Sequence, residues 1–275
     1  MKRAVALILL LTACSGAAAT PSTVPPSPTT TTTTPAPTAR DKIGDLEVSV
    51  FAPANDGPHA VVVLVHGGSW VGGDPGQLDP LAAALADRGV VVFNSTYHTM
   101  RLGGRFPGMV EDVACAVAFA RDHAAEYTAT PQRVFVVGHS AGAHLGSLVS
   151  FAPSTFECPS GAAPGPDGFV GLAGPYDTDR VAVLAPFYGG PIEETPETWE
   201  AGNPFTYVET INDLDIMLVH GAQDLIAPVS FSEDMADALT AAGKPVRYEV
   251  LSGADHRDVV DPAIVADLIA EFVTG

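Results

Sequence analysis

The stretch Val134-Phe135-Val136-Val137-Gly138-His139-Ser140-Ala141-Gly142-Ala143-His144-Leu145 decides how this chain is read. A β-branched and aromatic run leads into Gly138-x-Ser140-x-Gly142, and an Ala-rich run of helical character leaves it. That is strand, sharp turn, helix. At such a turn the serine takes a strained backbone conformation, and its hydroxyl stands above the edge of a sheet. The glycines on either side lack the Cβ atoms that would hold neighbouring backbone away. Chance alone produces Gly-x-Ser-x-Gly in a Gly-rich chain, but the flanking strand and helix supply the context a nucleophile needs. Ser140 is the candidate nucleophile. A serine hydroxyl is weak at neutral pH, so the rest of the chain must supply a base, and a carboxylate to fix the base's tautomer.

Working toward the C-terminus, residues 168–172 read as a strand ending at Ala173-Gly174-Pro175-Tyr176-Asp177. Residues 178–213 are irregular and rich in Pro, Gly and aromatics, and are expected to form short helices over the sheet edge. Residues 215–220 and 246–251 read as further strands, with a helix at 231–242 between them, and Asp261-Pro262 caps a last helix bearing Ile264, Leu268 and Phe272. Eight histidines compete for the base. His66 and His139 sit inside tight turns, His144 lies on the helix leaving the turn, and His220 ends a strand and braces its loop. His59, His98 and His123 have no motif around them. His256 follows the last strand, at the sheet edge where Ser140 belongs. For the acid, Asp224 follows the preceding strand and completes the order Ser, Asp, His at successive loop ends. Asp177 is the competitor, with helix capping as its alternative role, and Asp255 adjoins His256 but should point away from it.

Toward the N-terminus, residues 134 onward are preceded by a helical pattern carrying Val110, Val113, Val117 and Ala120, a buried strand at 90–93, and a helix opened by Asp79-Pro80 and closed by Gly89. Residues 60–65 form a continuous apolar run, read as a strand covered on both faces. It runs into His66-Gly67-Gly68-Ser69-Trp70, where a Gly pair lets backbone N–H groups turn toward a developing oxyanion. Residues 46–51 alternate and read as the sheet's edge strand. Strands alternating with helices predict a mostly parallel, doubly wound α/β sheet with helices on both faces.

Lys2 and Arg3 followed by a short apolar core read as a signal peptide over residues 1–13, too short to span a bilayer. It ends in Leu11-Thr12-Ala13-Cys14, which resembles the bacterial lipobox, so Cys14 is expected to be lipidated. The alternative is ordinary cleavage near residues 17–19 and secretion. Residues 14–39 are almost wholly Ser, Thr, Pro, Ala and Gly, a composition that cannot bury a core and behaves as a solvated tether. The folded domain is therefore expected over residues 40–275, a length suited to one α/β domain. A formal charge of −19, more negative still without Lys2 and Arg3, repels phosphate backbones and argues against nucleic-acid partners. The chain has no His-Glu-x-x-His and no Gly-x-Gly-x-x-Gly, so neither a metal nor a dinucleotide cofactor is indicated.

Taken together, His66-Gly67-Gly68-Ser69-Trp70, Gly138-His139-Ser140-Ala141-Gly142, Asp224 and His256 resemble the α/β-hydrolase superfamily. Within it, the likeness is to small carboxylesterases of the hormone-sensitive-lipase and kynurenine-formamidase-like group. Gly72-Gly73-Asp74, Phe106-Pro107 before Glu111-Asp112-Val113, and Gly174-Pro175-Tyr176-Asp177 match that group, and the likeness covers residues 45–274. The resemblance implies an α/β-hydrolase fold and an oxyanion hole of the Gly68, Ser69 and Ala141 amides. The group's usual Asn-Tyr-Arg after the fourth strand is altered here to Ser95-Thr96-Tyr97-His98. The expected activity is cleavage of a short-acyl carboxylic ester through an acyl-enzyme. An aryl formamide or peptide bond would run through the same machinery, and a non-catalytic surface binding lipoprotein is the alternative of another class. Trp70, Phe187, Tyr188 and Trp199 either wall a small substrate pocket or belong to the core. Cys115 and Cys158, one on a helix and one soon after the next, are expected to face each other as a disulfide in an oxidising compartment, or else to be two buried thiols.

Overall fold

The computed structural model describes residues 35–127, 130–159, 161 and 164–275, without the side chains of 130–132. Cys14, the signal segment and the tether as far as residue 34 lie outside the described residues. Long β-branched runs cannot satisfy their backbone alone and pair into a sheet. The strands are β1 (Ala39–Ile43), β2 (Leu46–Phe51), β3 (Pro58–Val65), β4 (Val90–Ser95), β5 (Thr130–His139), β6 (Gly168–Leu172), β7 (Asp215–Gly221) and β8 (Val246–Leu251). Among the described residues they form one eight-stranded sheet in the order β1-β2-β4-β3-β5-β6-β7-β8. The β1/β2 and β2/β4 pairs are antiparallel, and every pair from β4/β3 onward is parallel.

Parallel pairs need crossovers, and the helices provide them. They are α1 (Asp79–Ala86), α2 (Gly108–His123), α3 (Ala141–Phe151), α4 (Ala185–Tyr188), α5 (Pro196–Ala201), α6 (Ser230–Ala241) and α7 (Pro262–Thr274). Strand β3 shows why its sequence is apolar throughout. Val61, Val63 and Val65 face a core completed by Val113 and Val117 of α2 and Leu145 and Leu148 of α3. Val62 and Leu64 face the opposite core, with Leu81 and Leu85 of α1 and Val265 and Ile269 of α7. Each such side chain contributes roughly 1.5–3 kcal/mol on burial. Helix α7 starts where Asp261 accepts a hydrogen bond from the Ala263 amide (2.9 Å), with Pro262 at the first helical position.

The expected edge is corrected. Residues 46–51 are not the edge strand, because β1 pairs outside them from Ala39↔Val50 to Ile43↔Leu46. The sequence of β1, Ala-Arg-Asp-Lys-Ile, has three exposed polar residues in its middle and carries no alternation to betray it. Order extends further back: the Thr38 amide donates to the Val50 carbonyl (2.7 Å), and the Thr38 hydroxyl accepts from Ala52 (3.0 Å). Residues 178–213 do form short helical pieces, including α4 and α5.

Cys115 of α2 and Cys158 beyond α3 are joined by a disulfide, with Cα atoms 4.6 Å apart and a sequence separation of 43. A covalent loop of that length restricts the unfolded chain by about 4 kcal/mol on the chain-entropy model. Replacing both cysteines by Ala should lower the unfolding free energy by about 2–4 kcal/mol in urea titrations. Thiol titration of the unfolded, non-reduced domain should find neither residue reactive.

Candidate active site

Ser140 joins β5 to α3 at φ 53°, ψ −119°, a conformation that a side-chain-bearing residue adopts only under constraint. The constraint is local. The Ser140 amide donates to the Leu172 carbonyl at the end of β6 (2.8 Å), and its carbonyl accepts from Ala143 (2.9 Å) and His144 (3.2 Å) at the start of α3. A Cβ on Gly138 would run into the Gly142 carbonyl, and one on Gly142 into the Val65 carbonyl. Both glycines are there so that α3 can start directly against the ends of β5 and β3.

Asp224 follows β7, and His256 follows β8. Main-chain hydrogen bonds from Ala222 to Leu251 (3.0 Å) and from Gln223 to Ala254 (2.9 Å) hold the two loops together. The His256 Nδ1–H donates to Asp224 Oδ2 at 2.6 Å. A carboxylate accepts only, so Nδ1 carries the proton and Nε2 presents a lone pair. That nitrogen has no partner among the described residues. The other Asp224 oxygen accepts from the amides of Ile226 (2.8 Å) and Ala227 (2.9 Å). The competing acids lie elsewhere: Asp177 pairs with Arg180 (2.9 Å), and Asp255 accepts from its own loop amides.

Two more histidines brace this pair, and a third braces Trp70. His220 stands with Nε2 3.2 Å from Asp224 Oδ2, donating to the Ala227 carbonyl (2.8 Å) while Nδ1 accepts from Ser232 (2.7 Å). His139 donates from Nε2 to the His256 carbonyl (2.9 Å), and its ring lies 4.8 Å from the His256 ring. His144 is wholly buried. Its Nδ1 accepts from the Trp70 indole (3.1 Å), and its Nε2 donates to the Gly202 carbonyl (2.8 Å). The sequence motif shows His139 and His144 only as neighbours of Ser140. Their acceptors lie 117 and 58 residues away, and only the fold brings them near.

The loop after β3 carries Ser69 at φ 53° and Trp70 at φ 59°. The buried Trp70–His144–Gly202 relay pins it. Among the described residues, the amides of Gly68, Ser69 and Ala141 have no hydrogen-bond partner. His66 is occupied on both sides, donating to the Gly67 carbonyl (2.6 Å), accepting from Thr96 (2.9 Å) and stacking on Tyr97.

Two cavities meet at Ser140. One, of about 440 Å³, is walled by Trp70, Pro175, Val181, Val183, Ile226 and Phe231. The other, of about 350 Å³, contains His256, Arg257 and Gln77. Of the expected pocket aromatics only Trp70 lines either cavity. Phe187, Tyr188 and Trp199 are core, because Tyr188 and Trp199 turn their polar ends to the Gly202 (2.8 Å) and Gly190 (3.0 Å) carbonyls beneath the cover. The true wall draws on three separate segments, and its one sequence signal is the exposed Leu225-Ile226 pair directly after Asp224. Among the described residues no group of three or more His, Cys, Asp or Glu side chains is placed to hold a metal ion.

A family model described as the prolyl oligopeptidase family matches residues 108–272, more than half of the chain, including Ser140, Asp224 and His256. The chain belongs to the prolyl oligopeptidase family. A second model, BD-FAE, matches residues 48–163 and takes in the loop after β3. This member of the prolyl oligopeptidase family has the α/β-hydrolase fold. It is 27% identical over 226 residues to a probable isoprenylcysteine alpha-carbonyl methylesterase of Arabidopsis thaliana, covering 75% of this chain and 53% of that protein. It is 29% identical over 228 residues to esterase LipC of Mycobacterium tuberculosis, covering 75% and 55%. The chain thus spans about half the length of these curated relatives. A thermophilic esterase of Thermogutta terrifontis, solved with propionate bound, superposes with a TM-score of 0.71 at 23% identity, covering 84% of this chain and 89% of that one, which establishes the shared fold.

Burial pushes His139 and His144 down to about 4, His139 being lowered also by the neighbouring His256. Burial likewise lowers His220 and His66. Unfolded histidine takes its proton near 6.5, so between about 6.5 and 4 the unfolded chain binds more protons than the native one, and stability rises with pH. The stabilisation is complete above about 6.5 and is lost as pH falls toward 4. The urea midpoint should therefore drop between about pH 7 and pH 5, before the carboxylates titrate. A flat profile would show that these imidazoles accept protons in the native state.

Proposed function

We propose that this protein is a serine hydrolase that cleaves a short-acyl carboxylic ester through an acyl-enzyme. The observation that carries it is the Asp224–His256 pair opening onto the cavity that holds Ser140. Ser140 Oγ attacks the acyl carbon, and its proton passes to His256 Nε2. The resulting imidazolium is stabilised by Asp224. Negative charge gathers on the former carbonyl oxygen, where the amides of Gly68, Ser69 and Ala141 are ready to donate. The ester C–O bond then breaks, and His256 returns the proton to the leaving oxygen. Water repeats the sequence on the acyl-enzyme and frees the acid. The ester is preferred over a peptide or formamide because the curated relatives carry ester-hydrolase names.

The bounded wall of the larger cavity supports a short acyl group, as does the Thermogutta esterase solved with propionate and with butyrate. We place the enzyme outside the cytoplasm, held to a bacterial membrane by a lipid on Cys14, with secretion as the alternative. The Cys115–Cys158 disulfide supports an oxidising compartment, and the Leu11-Thr12-Ala13-Cys14 sequence supports the anchor.

A fluorophosphonate probe should label Ser140 in the wild type and not in Ser140→Ala; absence of labelling would favour a non-catalytic binding protein. Ser140→Ala, His256→Ala and Asp224→Asn should each lower kcat by on the order of ten-thousand-fold. Asp177→Asn should cost little, since Asp177 pairs with Arg180, which keeps Asp234 as a second partner. Each buried methylene contributes about 0.8 kcal/mol, roughly four-fold in kcat/KM, until the wall is reached. On p-nitrophenyl esters kcat/KM should peak between acetate and butyrate and fall by octanoate. A preference for palmitate would show that residues 178–213 open as a lid.

A further inference from the structure

The two cavities differ in charge as well as position. The leaving oxygen must receive its proton from His256, so the leaving group occupies the cavity that His256 lines, and the acyl group takes the other. On the acyl side Arg180 is already neutralised: it pairs with Asp177 (2.9 Å) and Asp234 (3.0 Å), and its guanidinium lies over Phe231. On the leaving-group side the only charged lining residue is Arg257, and no Asp or Glu lines that wall. Among the described residues the Arg257 guanidinium makes no ion pair or hydrogen bond.

The nearest acids do not take it. Asp255 feels the Arg257 charge but spends one carboxylate oxygen on the amides of Arg257 (2.7 Å) and Asp258 (3.1 Å). Asp258 accepts from the Asp255 amide (2.8 Å). Asp74 lies toward His66, where its charge opposes the fall in that residue's pKa. Asp224 is sealed behind His256, its side chain without exposure. Exposed Gln77 lines the same cavity, with no side-chain hydrogen bond among the described residues. In a chain with a formal charge of −19, an unpaired cation and a free amide beside the base form a polar, positively charged mouth.

We propose that Arg257, assisted by Gln77, selects esters whose leaving alcohol or phenol carries a carboxylate. The inference rests on the serine-hydrolase reading above and assigns the substrate class of that same site. A carboxylate offers the planar pair of oxygens that a guanidinium fork matches. The acyl cavity, with its arginine already paired, offers an anion no such partner. The bond broken and the proton carried are those of the ester reaction. Arg257 orients the departing half without joining the chemistry.

The test compares 4-acetoxybenzoate with its methyl ester, which has the same acetyl bond and no charge. The readout is the ratio of kcat/KM for the anionic to the neutral substrate. This ratio is insensitive to how much of each preparation is folded. In Arg257→Gln it should fall about five-fold, the upper range for a solvent-exposed ion pair, and in Arg257→Glu further. Molar salt should lower the wild-type ratio and leave that of Arg257→Gln nearly fixed. An equal ratio in all three proteins would overturn the proposal, as would fluorophosphonate labelling at Ser140 with no turnover of either aryl ester. If Ser140 neither labels nor turns over either substrate, the hydrolase reading itself fails and the selectivity falls with it.

Discussion

A carboxylate sealed from water must be met by donors, and the loops around Asp224 are built to meet it. Its side chain has no exposure, and an unpaired charge in that position would cost several kcal/mol. Two backbone amides take one oxygen, and two imidazoles approach the other. Satisfying the amides bends residues 224–227 back on themselves. Satisfying the imidazoles fixes the His256 tautomer and draws in His220, which is anchored in turn to Ser232 of α6. The geometry of the candidate base is thus a by-product of where a negative charge can be tolerated.

The same desolvation sorts the histidines. His66, His139, His144 and His220 are all held toward the neutral form by burial and serve as uncharged brackets, each donating from one nitrogen. One braces the backbone of His256, one the carboxylate, one the indole of Trp70, and one the start of the loop after β3. Among the described histidines only His256 both pairs Nδ1 with a carboxylate as its sole partner and lines the cavity that holds Ser140. The strained backbone at Ser69, Trp70 and Ser140 persists because these brackets surround it.

Sequence patterns made the sheet legible wherever residues were apolar for a purely local reason. The doubly covered runs of β3, β4 and β5 announce themselves, and so does the pair of glycines around Ser140, because a Cβ at either would strike backbone. Strand β1 was hidden because its pairing with β2, not its side chains, makes it a strand. The aromatics of residues 178–213 were ambiguous for a different reason. Whether a tyrosine walls a pocket or fills a core depends on which carbonyl its hydroxyl reaches, and Tyr188 reaches Gly202, well outside its own helix. The bracing histidines were opaque for the same reason, since a ring nitrogen's partner is set by tertiary approach.

The partition between the two cavities has a consequence for how such an enzyme diversifies. Ser69, Ser140 and Ile226 are the residues both cavities share. Of these, Ser140 is the candidate nucleophile and Ser69 offers a backbone amide, which leaves Ile226, two-thirds exposed, as the one side chain free to vary in the dividing wall. Everything else belongs to one side or the other. On the proposed ester reading, drift in residues 181–183 or at Phe231 remodels the acid half of the substrate while the alcohol half is inherited intact, and the reverse holds at Gln77 and Arg257. A lineage built on this wall can explore acids and alcohols as two nearly independent alphabets, with Ile226 the single position where the two spellings interfere.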